Sequence, residues 1–499
     1  MTRTNEQDPR VKLFNTLLTT PHRNLDRIYP VHQEIISQDP LFYVHLAAWY
    51  SDEGTIRDHR EMFVINLILS DFPGHRDTGL AMLREFPPYQ VGRVFDYIKG
   101  KIVKLRIKDG KKAEVLTEKH GLFRNVPRTM KTEIIRYLRE REEKPEWFDA
   151  SVLQARHAIK RLYASLRIPP SSRAQAILFD ENPPRDSRVY ALKLISKTRT
   201  PAEQARAIVD NKIPYRVASS VIKQMTPTVL VALIQNMSPQ ELINNVGSLK
   251  RRGAFDNPDV KKLIEDKLEK ARTSERVSAY KAKVASKAAG VSDDVAKKLD
   301  AVTESQVKAA GVIKRPTALL IDKSSSLEIA IEVGKQLGAM VSSICEADLF
   351  TYAFDSVAYP VQSQGATLAD WEKAMQGIKA NGMTSCGVAI EWMRRQKQYV
   401  EQIVMITDEG ENTAPRFKKA YQDYAKDLNA EPDVVFIKIG NTSNILEKHC
   451  EELEITPNAF EFRGDYYSLT NVIPLLTRPS LTDLVMEILS YPLPKRKDK

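Results

Sequence analysis

The sequence is poor in cysteine: three in 499 residues, Cys345, Cys386 and Cys450. They are too few and too scattered for a disulfide framework or a zinc site, which favours a reducing compartment. No run approaches 18 consecutive apolar residues, so no segment reads as a membrane span. The first ten residues have no apolar core of the signal-peptide kind. These absences point to a cytoplasmic protein with no membrane partner. Several catalytic signatures are missing as well: no phosphate-binding loop, no G-x-S-x-G and no H-E-x-x-H. The eight histidines do not fall at metal-ligand spacing. Cys386 stands at a helix start, where a thiol pKa can be lowered, but no base is adjacent in sequence.

What is abundant is positive charge, unevenly placed. Of the formal net charge of +11, residues 1–100 contribute −2, residues 101–315 contribute +20 and residues 316–499 contribute −7. A basic middle between neutral and acidic ends suits a polyanion partner, and nucleic acid is preferred over a merely solvated lysine surface.

From Val11 to about Arg272 the pattern is helical almost throughout, with runs such as Glu61–Leu69, Val91–Val103, Thr132–Arg141 and Ala155–Leu166. Short breaks carry Pro, Gly or Asp. Thr200-Pro201, Thr226-Pro227 and Ser238-Pro239 are helix-start signals, since proline is preorganised for the first helical turn. Many short helices without strands imply an α-solenoid of irregular period, HEAT-like rather than strictly repeated. Residues 273–315 read as a basic helical connector. From Pro316 the pattern becomes alternating strands and helices. Strands are expected at 317–322, 347–354, 356–361, 402–408, 433–439 and 459–463, an open, mostly parallel α/β sheet. The domain reading is therefore 1–272, 273–315 and 316–499.

The α/β part carries an oxygen-rich motif. Ala318-Leu319-Leu320-Ile321 is an apolar strand that ends in Asp322-Lys323-Ser324-Ser325-Ser326 and turns into a helix. One carboxylate and two hydroxyls then surround one point, a donor set suited to Mg²⁺. Downstream, Gly382-Met383-Thr384-Ser385 offers another hydroxyl, and Ile403–Thr407 is a strand followed by Asp408. Asp322, Ser324, Ser326, Thr384 and Asp408 are thus the candidate ligands of a divalent cation. The order D-x-S-x-S, Thr, Asp is that of a metal-ion-dependent adhesion site, and residues 316–499 resemble a von Willebrand factor A domain. Lys323 departs from the apolar or small residue usual at its position; turned inward it would weaken cation binding. Glu409 and Glu411 read as solvated loop acids rather than ligands of a second metal.

A helical solenoid followed by this α/β domain resembles the Ro autoantigen family, whose N-terminal part is called the TROVE domain. Three segments carry the likeness: Met237 to Leu249, with Asn245-Val246-Gly247; His157 to Pro169, a histidine before a basic-leucine helix; and Gly121 to Arg128. The resemblance implies an RNA-binding ring, monomeric and non-enzymatic, closed by the α/β domain around a central hole. It further implies that small structured non-coding RNAs (Y RNAs) bind the basic outer surface. Single-stranded 3′ ends of misfolded RNA would enter the hole, in RNA quality control or maturation alongside an exoribonuclease.

Three basic clusters are the candidate RNA contacts. Lys119, His120, Arg124, Arg128 and Lys131 crowd a loop and the next helix start, where backbone N–H groups also attract phosphate. Arg156, Lys160 and Arg167 share one helical face and His157 and Arg161 another; His157 matches the family's RNA-facing histidine. Lys250, Arg251 and Arg252 follow the Asn-x-Gly helix. Two other classes stay open. One is a protein scaffold recruiting an acidic partner through the metal site; the other is a metal-dependent nuclease.

Overall fold

Prolines and capping hydroxyls start the helices of the N-terminal half. The computed structural model describes residues 17, 25–54, 56–109, 112–198, 200–287, 292–325, 327–440, 443–477 and 481–496, and from Leu25 the described residues of this half form fourteen helices. They are α1 (Leu25–Gln38), α2 (Pro40–Glu53), α3 (Arg57–Leu69), α4 (His75–Glu85), α5 (Pro88–Lys99), α6 (Arg128–Glu142), α7 (Pro145–Leu166), α8 (Ser172–Leu178), α9 (Arg188–Lys197), α10 (Pro201–Asp210), α11 (Tyr215–Val221), α12 (Pro227–Asn236), α13 (Pro239–Arg251) and α14 (Pro258–Ala271). The Thr200-Pro201, Thr226-Pro227 and Ser238-Pro239 pairs each open a helix as read from sequence. Ser238 Oγ also accepts the Glu241 N–H at 3.2 Å.

One expectation fails here. The helical run Val91–Val103 stops at Lys99, and residues that were read as strand-free form an antiparallel hairpin, β1 (Lys101–Asp109) with β2 (Lys112–His120). The reason is local. Val103, Leu105 and Ile107 alternate with Lys104, Arg106 and Lys108, a period of two that no helix face can use. Gly100 (φ +77°) and Gly121 (φ +96°) make the turns into and out of the hairpin.

The described chain divides into two units. The helical unit comprises Pro21–Leu242, Ser248–Ile264 and Val485–Lys499. Its core includes Phe42, Tyr43, Phe63 and a buried pair in which His32 Nε2 lies 3.0 Å from His59 Nδ1. The C-terminal segment is fastened within this unit. Trp49 Nε1 donates to Glu487 at 2.8 Å, and Arg496 pairs with the fully buried Glu133 at 2.6 Å.

The other unit comprises Ile243–Gly247 and Glu265–Leu484. It contains α15 (Ala279–Ser286), α16 (Asp293–Ala309), α17 (Glu328–Ile344), α18 (Leu368–Ala374), α19 (Val388–Arg395), α20 (Phe417–Leu428), α21 (Ile445–Glu452), α22 (Ile473–Thr477) and the start of α23 (Leu481–Ser490), whose remainder from Val485 belongs to the helical unit. Its six strands are β3 (Thr317–Asp322), β4 (Leu349–Phe354), β5 (Ala358–Pro360), β6 (Gln402–Thr407), β7 (Asp433–Ile439) and β8 (Asn458–Phe462), in the order β5-β4-β3-β6-β7-β8. Only β5 is antiparallel to its neighbour. Every residue of β3 and β6 is buried, because helices cover both faces. Leu319, Ile321, Val404 and Ile406 pack with α17 on one side. Ala318, Leu320, Ile403 and Met405 pack with α19 and α20 on the other. Strand order reverses between β3 and β6, so their carboxyl ends flank the crevice where such sheets place ligands.

Candidate nucleic-acid interface and metal loop

Three loops meet at that crevice. Asp322, fully buried at the end of β3, accepts the Ser324 N–H on Oδ1 at 2.9 Å and the Thr407 hydroxyl on Oδ2 at 2.8 Å. Burial, reinforced by the nearby Asp408 charge and opposed by those hydrogen bonds, pushes its carboxyl up to about 6. Ser325 N and Oγ both donate to the Gly382 carbonyl (3.2 and 2.6 Å), and Asn381 N donates to Lys323 O at 2.8 Å. The Thr384 carbonyl in turn accepts N–H groups from Asn412 and Thr413 at 3.0 and 2.9 Å. Loops 322–325, 381–385 and 408–413 are therefore stitched together. Ser324 and Thr384 are buried within them and Asp408 is half-buried. Ser326 lies outside the described residues.

This donor set fits a hard cation: oxygens only, with a desolvated carboxylate that a positive charge would relieve. Among the described residues no three His, Cys, Asp or Glu side chains gather as a metal site. The candidate thus rests on two carboxylates helped by hydroxyls.

Lys323 is buried rather than directed to solvent. Its ammonium pairs with the buried Asp355 and sits 4.8 Å from the Tyr359 ring centre. The reading of Glu409 and Glu411 as solvated acids is corrected. Glu409 is fully buried, ion-paired to Lys438 at 3.0 Å, and Glu411 accepts the Phe417 N–H at the start of α20 at 2.6 Å. Both acids have folded inward because each satisfies a buried donor. Cys386 is likewise corrected. Burial pushes its thiol well up, with Asp322 and Glu411 adding, so it is no activated nucleophile.

In the helical unit, a cleft of about 1380 Å³ opens between the α3, α5, α7 and α11–α12 segments. Its lining includes Arg57, Arg156, His157, Arg161, Lys212 and Arg216 against the acid Glu241. α7 departs from helical geometry at Ala155 (φ −139°, ψ 32°), immediately before Arg156 and His157. Arg161 reaches Asp96 at 2.5 Å and Arg156 reaches Glu181 at 3.3 Å, which fixes both guanidinium groups. His157, Lys212 and Arg216 are exposed. Tyr89, 47 % exposed, lies under the Arg57 guanidinium at 5.6 Å and offers a flat surface.

Of the sequence candidates, Arg156, His157 and Arg161 converge on this cleft. Lys160 instead lies 5.4 Å from the Phe179 ring centre, and Arg167, exposed, caps the end of α7 in a left-handed conformation. The first cluster is not among the cleft's lining. His120 is 3.2 Å from Glu118 and 3.5 Å from Asp26, Lys119 lies 5.9 Å from the Phe123 ring, and Arg124, Arg128 and Lys131 are exposed. In the third cluster, Arg252 donates to the Ser219 and Ile222 carbonyls (3.2 and 3.4 Å), Lys250 lies 6.0 Å from the Phe255 ring and Arg251 is exposed. Arg57, Tyr89, Lys212 and Arg216 were missed. They come from three segments without a shared motif, and only the Ile213-Pro214 break between Lys212 and Arg216 hinted at a turn there.

No family model matches the chain, and no curated protein matches its sequence. Among solved structures, the Ro (RSR) protein of Deinococcus radiodurans superposes with a TM-score of 0.60 at 12% identity, covering 89% of this chain and 92% of that one. The chain has a Ro-like fold. A proximal thread matrix protein of the mussel byssus matches 34% of this chain and 48% of its own at 14% identity, but its TM-score is only 0.28. The Ro-like architecture covers both the helices and the six-stranded sheet. No described helix is long and apolar enough to cross a membrane.

Proposed function

We propose that this Ro-like chain is a non-enzymatic RNA-binding protein. The observation that carries the reading is the cleft beside the α7 kink, where five Arg or Lys residues and His157 face one acid around an exposed tyrosine. Clustered cations attract phosphates by counterion release. An exposed ring beside them suits stacking of an unpaired base, the usual way single strands are held. On this reading single-stranded 3′ ends of misfolded RNA occupy the cleft side, and small Y RNA-like structured RNAs occupy the basic surface. The wider proposal keeps a monomeric ring, a role in RNA quality control or maturation with an exoribonuclease, and a cytoplasmic setting. It also assigns Mg²⁺ to Asp322, Ser324, Ser326, Thr384 and Asp408. There a bound cation would supply an open coordination position for a carboxylate, which also supports the second reading of an acidic protein partner.

The test is a gel shift at several salt concentrations with a structured RNA and a short single strand. Binding that weakens steeply as salt rises is expected. Charge reversal of His157, Lys160 and Arg161 together should weaken binding without altering the far-ultraviolet spectrum. No binding at about 100 mM salt would sink the proposal.

A further inference from the structure

Just past the hairpin stands an exposed ring. Phe123 is 47% exposed, yet its backbone is left-handed (φ +51°), a conformation that bulky residues rarely adopt. The turn leaves it little freedom. Leu122 N donates to Tyr97 O and Arg124 N to Ile98 O, both at 2.8 Å, so the residues on either side are tied to the end of α5. The ring rests on Gly100, where any side chain would meet it at 2.6 Å. A large apolar side chain is thus fixed at the surface rather than folded into the core.

The charge around it is uncompensated. Lys119 Nζ lies 5.9 Å from the ring centre. Arg124 is the next residue, and Arg128 and Lys131 follow at the start of α6, three apart and so on one helix face. All four are exposed, and none is ion-paired among the described residues. The neighbouring acids have other partners. Asp26 accepts from the Tyr97 hydroxyl at 2.9 Å and the Gly121 N–H at 3.4 Å, and Glu118 lies 3.2 Å from His120. The first turn of α6 carries no acid, and Glu133 further along is buried against Arg84. In the cleft, by contrast, Arg156 and Arg161 are already held by acids.

We infer that Phe123 is the stacking platform of a second single-strand site, outside the cleft. It takes one unpaired base of an RNA on its ring and the flanking phosphates on Lys119 and Arg124. The inference rests on the RNA-binding reading above. Every base has a π-face, so an exposed ring stacks any of them while nearby cations track the backbone. A ring held in place beforehand has little freedom left to lose on binding. Phe123 offers no hydrogen-bonding group, so the site is indifferent to which base it stacks.

The test uses the full chain and a labelled single-stranded RNA of about six nucleotides, within the span of one single-strand site. Titration should resolve a binding event at the cleft and a further one at Phe123. Phe123→Ala should weaken the further event about 5- to 150-fold and leave the cleft event at the parental affinity. Tyr89→Ala should do the reverse. Lys119→Gln/Arg124→Gln should make the plot of log affinity against log salt shallower by about 1.4 for the Phe123 event alone. Phe123→Trp should keep that event, and its indole emission should be quenched as the strand binds. Far-ultraviolet spectra report the folding of each variant. A folded Phe123→Ala that titrates like the parent overturns the inference, as does equal weakening of both events. A Phe123→Trp whose emission ignores the bound strand overturns it too. A parent that binds the strand only at the cleft, weakened by Tyr89→Ala alone, refutes the platform and leaves the RNA-binding reading standing. A parent that binds no strand at low salt refutes that reading itself.

Discussion

Lys323 is where the metal motif departs most from its pattern, and the fold turns the departure into a structural device. The Lys323 and Asp355 side chains are 10% and 9% exposed and bonded to each other. Asp355 also accepts the Val357 N–H at 2.8 Å, and its hydroxyl neighbours Tyr359 and Ser356 lie at 3.4 and 3.5 Å. Removing one member of a buried pair costs about 3–5 kcal/mol, because the other charge is left without its counterion. Those remaining donors soften the loss, so Lys323→Met should cost about 3 kcal/mol. Asp355→Asn should cost a similar amount, and the double variant should cost less than the sum by about 1–3 kcal/mol, as for residues in contact. Native-state hydrogen exchange of the β3 and β6 amides, in EDTA, reads the stability of this unit alone. If Lys323 instead faced the crevice, Lys323→Met would leave exchange within about 0.5 kcal/mol of the parent, a surface-like change, and would tighten Mg²⁺ binding. That pair of results would refute the argument.

Three further outcomes are expected. Asp322 is raised from 3.8 to about 6, so it contributes stability that is full below pH 3.8 and lost as pH rises through 6. At about 1.4 kcal/mol per unit, the sheet unit in EDTA should lose about 3 kcal/mol between pH 3.8 and 7.5 from this group; Asp322→Asn should flatten that part of the exchange-versus-pH curve. Gly338 on α17 would bring a Cβ within 2.5 Å of the Trp371 ring, which is buried and bonded through Nε1 to Ser342 at 2.9 Å. Gly338→Ala should therefore cost about 1–3 kcal/mol, seen as faster exchange in α17. Tyr89→Ala should weaken a short single-stranded RNA by about 1–3 kcal/mol with folding intact, and an unchanged affinity in fluorescence anisotropy would remove Tyr89 from the cleft's function.

The sheet was legible because parallel strands buried on both faces are short apolar runs bounded by polar turns. Thr317–Asp322 and Asp433–Ile439 were placed to the residue, and Gln402–Thr407 to within one. The hairpin was not. Val103, Leu105 and Ile107 continue the apolar content of α5 while changing its period, and a reading by runs carries the helix forward across Gly100. Glu409 and Glu411 were misread because a loop of acids looks solvated until the donors it buries against are known. Those donors, Lys438 and the Phe417 N–H, are 29 and 6 residues away. The cleft was half legible. α7 contributes Arg156, His157 and Arg161 at helical spacing, whereas Arg57, Tyr89, Lys212 and Arg216 are assembled only by tertiary packing.

The two halves of the chain use buried charge in opposite ways. In the sheet unit, buried ions mostly find partners within the fold: Lys323 with Asp355, Glu409 with Lys438, and Lys438 also with Glu447 at 3.0 Å. Asp322 is the exception. It accepts hydrogen bonds on both oxygens yet faces another carboxylate, which is why its charge is the one a cation would satisfy. In the helical unit the pattern reverses at the surface. The cations of the cleft outnumber its acids. Charge that the fold neutralises adds rigidity; charge that it leaves uncompensated marks where a partner of opposite sign completes the molecule. By that rule, a cation would suit the Asp322 carboxylate, and a polyanion would suit the cleft.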